Sequence, residues 1–169
     1  MKNIHLIFPE VSRRYISLTE KDQLRKALKK NTRKFKKTLK NIPEKKRDFA
    51  YAEGKWTIRQ MLQHIIDAER VFVYRALWFA RKDTQPLPGF DENAWADHAP
   101  ATSRHWDDLV KEFKWLRRST ESLFASLSEE ELNATGLSNN NEYSVAAFGY
   151  ICAGHVAHHI GVINERYLA

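Results

Sequence analysis

The sequence predicts an all-α protein, a four-helix bundle, and three observations support this fold class. Four segments of the 169-residue chain place apolar residues three or four positions apart, as on one face of a helix. No stretch shows the alternation expected of a β-strand, and one long connection separates the second helical segment from the third. The chain is 43% hydrophobic, which is enough for one core, so we expect a single domain over residues 1–169.

The first two predicted helices are joined by a short connection. The first covers residues 19–41, and the hydroxyl of Thr19 is expected to cap its start. The second covers residues 57–81 with Thr57 as its N-cap, and Trp56 is expected to pack back on its first turn. The connection between them is short enough for an antiparallel helical hairpin.

The third and fourth predicted helices follow a long connection. Residues 83–102 contain three prolines and one glycine, and a loop of this length is uncommon in a compact domain. We therefore expect these residues to cross over the bundle, to cover a site, or to do both. The third helix covers residues 103–127, and the fourth covers residues 144–167 with Ser144 as its N-cap.

The composition favours a soluble, cytoplasmic protein without a membrane partner. Cys152 is the single cysteine, which excludes an internal disulfide and is typical of a reducing compartment. No apolar run approaches the roughly 20 residues of a transmembrane helix, and the N-terminus does not resemble a secretory signal peptide.

The net charge of +7 is concentrated in one segment. Residues 21–47 hold 13 of the 28 lysines and arginines and only two acidic residues. We interpret this segment as the solvated face of a bundle helix, because no recognition motif accompanies it. The alternative is a non-enzymatic helical module that binds nucleic acid or another polyanion. In that case binding would depend on the basic residues Lys29, Lys30, Arg33 and Lys37.

The histidines suggest a metal site. His155 and His159 are four residues apart, about 40° apart on one helix face, whereas His158 points to the side of that pair. His64 lies at a core-facing position of the second helix. Imidazole nitrogens suit Zn, Ni, Fe or Cu, and three such ligands leave positions open for water or substrate. The pattern predicts a divalent metal bound by His64, His155 and His159, provided that the two helices meet at the same height.

Three stretches of the chain carry a family resemblance. The segments GKWTIRQMLQHIIDAERVF and GHVAHHIGVINERY, with the connection PLPGFDENAWA, resemble the DinB-like/YfiT-like superfamily, whose members are regarded as bacterial metal-dependent enzymes. The resemblance runs roughly from residue 20 to the end. It implies His64, His155 and His159 as metal ligands and an up-down-down-up bundle in which residues 83–102 form the crossover. It also implies Ni or Zn as the metal, a homodimer, and a low-molecular-weight thiol co-substrate, as in characterised thiol-dependent members.

Three neighbours of the histidines have two interpretations each. Asp67, three residues after His64, is a candidate base or an acceptor for a ligating histidine, or else an ordinary surface carboxylate. Cys152 is a candidate fourth ligand, although a small core residue is the favoured interpretation. His158 either orients a neighbouring residue or points to a dimer partner, or else it is a partly exposed histidine without such a role.

Three further residues carry weaker functional hypotheses. Arg75 is expected to pair with an acidic group such as Glu165, or else to meet an anionic substrate. Phe90 and Trp95 in the long connection are expected to anchor that segment, or else to line the mouth of the site.

The function that these residues predict is a metal-dependent enzyme acting on a small molecule. Its open metal position would activate a thiol or a water, which corresponds to a thiol-dependent transferase or a hydrolase. Besides the polyanion-binding alternative given above, a metal-stabilised homodimer without catalysis would also fit the histidines.

Overall fold

Four long helices dominate the computed structural model, which describes residues 3–99 and 101–169. The α-helices of the described chain are α1 (Arg13–Ile16), α2 (Leu24–Asn41), α3 (Ile58–Ala80), α4 (Glu92–His98), α5 (Trp106–Ser126), α6 (Glu129–Asn133) and α7 (Val145–Val162). The four long ones are α2, α3, α5 and α7, and α7 continues into a π-helical turn, Ile163–Tyr167. The predicted four-helix bundle is therefore confirmed.

Helix α7 is the central helix of the bundle. It packs against both α2 and α3, and α5 closes the bundle by packing against the same two helices. The long connection from α3 to α5 crosses the bundle and contains α4, so the order of directions is up-down-down-up, as expected. This arrangement brings α3 and α7, which carry the histidines, side by side.

Two of the three predicted N-caps are confirmed. The backbone N–H of Gln60 donates to the Thr57 hydroxyl at 3.1 Å, and Ser144 accepts from the N–H of Ala147. The Thr19 cap is wrong, because α2 begins only at Leu24. Thr19 is buried, and its hydroxyl lies 3.4 Å from the carbonyl oxygen of Tyr150 in α7.

A short β-hairpin corrects the expectation that the chain has no strands. Strands β1 (Thr135–Ser138) and β2 (Asn141–Ser144) pair in antiparallel fashion. The two residues between them, Asn139 and Asn140, have φ values of 50° and 60°, as the tight turn of a hairpin requires. Four-residue strands are too short for alternation to be detected, but the asparagine pair was an available signal.

The N-terminal residues 3–22, which we call the N-terminal strap, lie across α7. The N–H of Ser144 donates to the carbonyl of Ile7 at 2.9 Å, and α1 packs on α7 further along. A side chain at Gly154 would collide with the backbone carbonyl of Tyr15, so only glycine permits this close approach. The strap is thus firmly docked on the helix that carries two of the histidines.

Helix α7 with its π-helical turn, Val145–Tyr167, is long and apolar enough to cross a membrane by length and composition alone. Its 23 residues contain a window of mean hydropathy 1.2, and 72% of that window is buried inside the protein. Such burial is what the central helix of a bundle requires, because its neighbours cover it on nearly all sides.

A buried polar layer separates the apolar core into two halves. The Arg117 side chain is fully buried and donates to the Glu69 carboxylate and, at 3.0 Å, to the carbonyl of Cys152. Thr120 donates to the other Glu69 oxygen at 2.7 Å. One ion pair therefore joins α3, α5 and α7 in the middle of the bundle. Within the described chain, the Nε and Nη1 atoms of Arg117 have no hydrogen-bond partner. The Glu69 carboxylate is therefore the main group that offsets the cost of burying the guanidinium charge.

Replacing Arg117 by Met should lower the free energy of unfolding by about 3–5 kcal/mol, because the buried Glu69 carboxylate would lose its positively charged partner and keep only the Thr120 hydrogen bond. Urea denaturation measures this loss. The double variant Arg117→Met/Glu69→Met should recover most of it, and Arg118→Met on the exposed face of α5 should change stability by less than about 0.5 kcal/mol. A loss below about 1 kcal/mol for Arg117→Met would contradict this account of the layer.

Candidate metal centre

Two helices bring the three predicted histidines together. His64 lies two turns into α3, and His155 and His159 lie one turn apart on α7. The Nε2 atom of His155 is 3.0 Å from Nε2 of His64 and 3.0 Å from Nε2 of His159. One ligand nitrogen from each residue lies within 4.8 Å of the others. The condition left open by the sequence, that the helices meet at the same height, is fulfilled.

Burial keeps these imidazoles neutral. His155 is 3% exposed and His159 is 8% exposed, while His64 is half-buried. Burial lowers the pKa of His64 from 6.5 to about 4. Burial, and then the charges of neighbouring imidazoles, lowers the pKa of His155 and of His159 well below the usual value. Neutral imidazole is the form that binds a metal ion.

The donor set fits a divalent cation. Two nitrogens that bind one ion at about 2.0–2.1 Å and at a right angle lie about 3 Å apart, close to both His155 distances. The single ring nitrogen His155 Nε2 faces two other ring nitrogens, and as either donor or acceptor it can form a good hydrogen bond to only one of them. The Nδ1 atom of His159 is buried without a partner among the described residues, so its ring depends on Nε2 for polar contact.

Aromatic rings enclose the histidine cluster. Trp56 lies 4.7 Å from His64, between ring centroids, so its role extends beyond packing on the first turn of α3. Phe72 meets the His155 ring edge-on at 5.8 Å, and Tyr15 meets it at 5.2 Å. The position of Tyr15 beside the site did not follow from the sequence pattern. Gly154, directly before His155 in a helix interior, was an available signal that another backbone comes close here.

A cavity of about 250 Å³ opens beside the cluster. His158 and His159 from α7, Trp56 with Lys55 before α3, and Asn93 of α4 form much of its wall. No Asp or Glu lines this cavity in the described part of the chain. A small molecule in the cavity would therefore contact His159 directly and meet a positively charged side chain at the wall.

The structure places Asp67 in a different network from the histidines. Its two carboxylate oxygens accept from the Gln63 amide at 3.0 Å, and the Arg70 guanidinium lies 3.4 Å away. Within residues 3–99 and 101–169, Asp67 makes no hydrogen bond to His64, His155 or His159. Its role as a base therefore has no contact to support it and stays a prediction.

Cys152 and His158 lie outside the set of converging nitrogens. Burial strongly raises the pKa of the Cys152 thiol, and the side chain is packed in the core, which was the favoured interpretation. His158 is half-buried, contacts the His159 ring edge-on at 5.1 Å, and lines the cavity instead.

Arg75 and Phe90 anchor the long connection. The Arg75 guanidinium donates to the Pro88 carbonyl at 2.7 Å and lies 5.7 Å from the centre of the Phe90 ring. Arg75 makes no ion pair with Glu165 in the described chain. Phe90 thus anchors the segment to α3, as expected, whereas Trp95 is 46% exposed and packs on Phe90 of the same segment at 4.8 Å, so its anchoring role stays a prediction.

The basic residues of α2 lie on its exposed face and contribute nothing to the histidine cluster. Lys29, Lys30, Arg33 and Lys37 are all exposed, and Lys30 pairs with Asp22 at 2.6 Å. This placement fits a solvated helix face. Binding of a polyanion to it stays a prediction.

Fold and site together define a class of protein, an up-down-down-up helical bundle with three histidines converging from two neighbouring helices. The sequence model of the DinB superfamily matches residues 27–163, which include all three histidines. The chain belongs to the DinB superfamily.

Similar proteins carry names that refer to metal-dependent hydrolysis. "Putative metal-dependent hydrolase OB0413" of Oceanobacillus iheyensis is 30% identical over 141 residues, covering 82% of this chain and 80% of that protein. "Putative metal-dependent hydrolase YfiT" of Bacillus subtilis is 26% identical over 100 residues, covering 57% of this chain and 56% of that protein.

Two solved structures share the fold. Bacillus subtilis YfiT, described as a probable metal-dependent hydrolase with an unusual four-helix bundle topology, superposes with a TM-score of 0.70 at 19% identity. The superposition covers 98% of this chain and 90% of YfiT. A mycothiol-dependent maleylpyruvate isomerase gives a TM-score of 0.69 at 13% identity, covering 85% of this chain and 61% of the isomerase.

Acidification should destabilise the metal-free protein. The pKa of His64 is about 4 in the folded protein and has its ordinary value of 6.5 in the unfolded chain. Between these two values His64 is protonated mainly in the unfolded chain, which therefore binds more protons than the folded protein. Stability is therefore lost as the pH falls from about 6.5 towards 4, and His64 alone accounts for about 2 kcal/mol between pH 7 and pH 5. Urea denaturation at both pH values measures the loss. In His64→Gln the part of the stability loss that comes from His64 should be absent. An equal loss between pH 7 and pH 5 in His64→Gln and in the unaltered protein would contradict the lowered pKa of His64.

Proposed function

We propose that the chain is a metal-dependent hydrolase that holds one divalent ion through His64, His155 and His159. The observation that carries the proposal is the convergence of three neutral, largely buried imidazole nitrogens beside a cavity. The names of the relatives at 30% and 26% identity support the same reaction class. A bound ion would act as a Lewis acid that polarises a substrate atom and helps a water or a thiol to lose its proton near neutral pH.

The protein's own side chains have two tasks in this proposal. The three imidazoles supply neutral donors on one side only, because α3 and α7 carry them from adjacent faces and leave the cavity side open. Tyr15, Trp56 and Phe72 shield the cluster from solvent, which strengthens electrostatic interactions inside it. Substrate would enter through the cavity and contact His158 and His159.

A thiol-dependent transfer is the second candidate reaction. A thiol that reached the histidines through the same cavity would be activated in the same way as a water. The solved isomerase that shares this fold is described as mycothiol-dependent, which supports testing a low-molecular-weight thiol as co-substrate. Three histidines accept several ions, and we propose Ni or Zn as the physiological one.

The remaining parts of the proposal concern the cellular context. We propose a cytoplasmic homodimer acting on a small molecule, and light scattering of the purified protein measures the mass. A protein that binds metal without turning over any thiol or ester would indicate the non-catalytic, metal-stabilised form instead.

Metal binding is the first test of the proposal. Protein purified without a histidine tag, loaded with Zn or Ni and dialysed, should retain about one equivalent by elemental analysis. His155→Ala should retain less than about a tenth of an equivalent, because two ligands cannot hold the ion against dialysis. The control His98→Ala, on the exposed face of α4, should retain the full amount.

Two outcomes would overturn the proposal. Retention below about a tenth of an equivalent in the unaltered protein would refute the metal site itself. If the ion binds, a p-nitrophenyl ester and an electrophile with added thiol distinguish hydrolysis from thiol transfer. Turnover that survives His155→Ala would show that neither reaction uses the site.

A further inference from the structure

Two residues beside the histidine cluster lie outside the matched family region. The DinB superfamily match begins at residue 27, whereas Arg14 and Tyr15 belong to the N-terminal strap. The strap is fixed by the contact of Tyr15 with Gly154 and by the buried hydroxyl of Thr19. Its side chains are therefore held at the site.

Tyr15 places the Arg14 guanidinium beside two histidines. The Tyr15 ring meets His155 at 5.2 Å and His158 at 5.6 Å, and Arg14 lies 4.6 Å from the centre of the same ring. Burial lowers the pKa of His158, and the positive charge of Arg14 lowers it further. The charge of Arg14 also lowers the pKa of His159, although burial and the neighbouring imidazoles contribute more to that shift. A cation stacked on Tyr15 thus lies near His158, which lines the cavity.

Lys55 supplies a second cation, at the wall of the cavity itself. Lys55 lines it directly, next to Trp56, whose ring lies over His64. Two carboxylates lie near the cavity but outside its lining. Burial raises the pKa of Tyr15 and the Glu92 charge adds to this, while the Glu165 charge opposes the lowering of the His158 pKa by burial and by Arg14. No carboxylate lines the cavity within the described residues, so the Lys55 ammonium is the charged group of its lining.

We propose that Arg14 and Lys55 form a carboxylate-binding rim, and that the substrate of the proposed metal site carries a carboxylate group. The inference rests on the proposed function. The aromatic part of the cavity wall, with Tyr51, Trp56 and Tyr167, would accommodate the apolar part of such a molecule. The carboxylate would meet the two cations at the rim while the reacting atom reaches the histidines. An anion that meets two cations gains both affinity and orientation.

The test uses cobalt-loaded protein and thiols that differ in charge. Uptake of Co²⁺, followed by its visible absorption, reports on the metal site alone. Perturbation of that spectrum by mercaptosuccinate or by 2-mercaptoethanol then gives a dissociation constant for each thiol. Mercaptosuccinate should bind at least about fivefold more tightly than 2-mercaptoethanol, and the difference should shrink at high salt.

Arg14→Gln should weaken mercaptosuccinate about fivefold and leave 2-mercaptoethanol within twofold, because only the carboxylates meet the lost charge. Lys55→Gln should act in the same direction. Arg14→Lys should retain most of the preference. Arg13→Gln is the matched control, since this neighbouring exposed arginine lies over Phe8 and pairs with Glu10 away from the cavity.

The outcomes separate this inference from the proposed function. Failure to bind Co²⁺ would refute the metal site. Normal Co²⁺ binding with equal affinities for the two thiols would overturn the carboxylate rim alone. An equal effect of Arg13→Gln and Arg14→Gln would show a diffuse surface potential and would also overturn it. Circular dichroism and the melting temperature of each variant show whether the strap stays docked, and the Arg14→Lys result decides the matter if Arg14→Gln unfolds.

Discussion

The guanidinium of Arg117 fixes the relative position of the helices that build the site. It donates to Glu69 of α3 and to the carbonyl of Cys152 in α7, and its full burial keeps bulk solvent from replacing either contact. Glu69 lies five residues after His64, and Cys152 lies three residues before His155. A slip of α3 along α7 would break the ion pair and separate the histidines at the same time. The buried charges are costly as a source of stability, but their hydrogen bonds favour this helix register over a shifted one.

Much of the bundle could be predicted from periodicity, because a helix with a buried face has to show a 3.6-residue repeat. The four long helices, the Thr57 and Ser144 caps and the crossover all followed from such local signals. The prediction of Thr19 as an N-cap was wrong, because a threonine caps a helix only if the helix begins directly after it, and α2 begins at Leu24. The strap folds Thr19 under α7 instead. Docking of this kind is a tertiary contact, and only Gly154 hinted at it.

The three histidines show what sequence can and cannot establish about a site. The spacing of His155 and His159 is local and placed them on one face. The meeting of His64 with that pair depends on helix register, which the sequence did not reveal and the structure provides. Asp67 shows the reverse case, because sequence proximity to His64 suggested a partner and Gln63 and Arg70 hold the carboxylate elsewhere. Tyr15, Arg14 and Lys55 could not be assigned to the site at all without the folded arrangement of strap and loop.

The proposed site requires the three histidine Nε2 atoms to bind one ion and the side of the ion that faces the cavity to stay open for substrate. X-ray absorption at the metal edge of the zinc- or nickel-loaded protein addresses this directly, because it counts the imidazoles around the ion. The account predicts three imidazole nitrogens at about 2.0–2.1 Å, with the remaining ligands being light atoms from solvent. A spectrum with one imidazole or none, or with sulfur from Cys152 in the coordination shell, would contradict it.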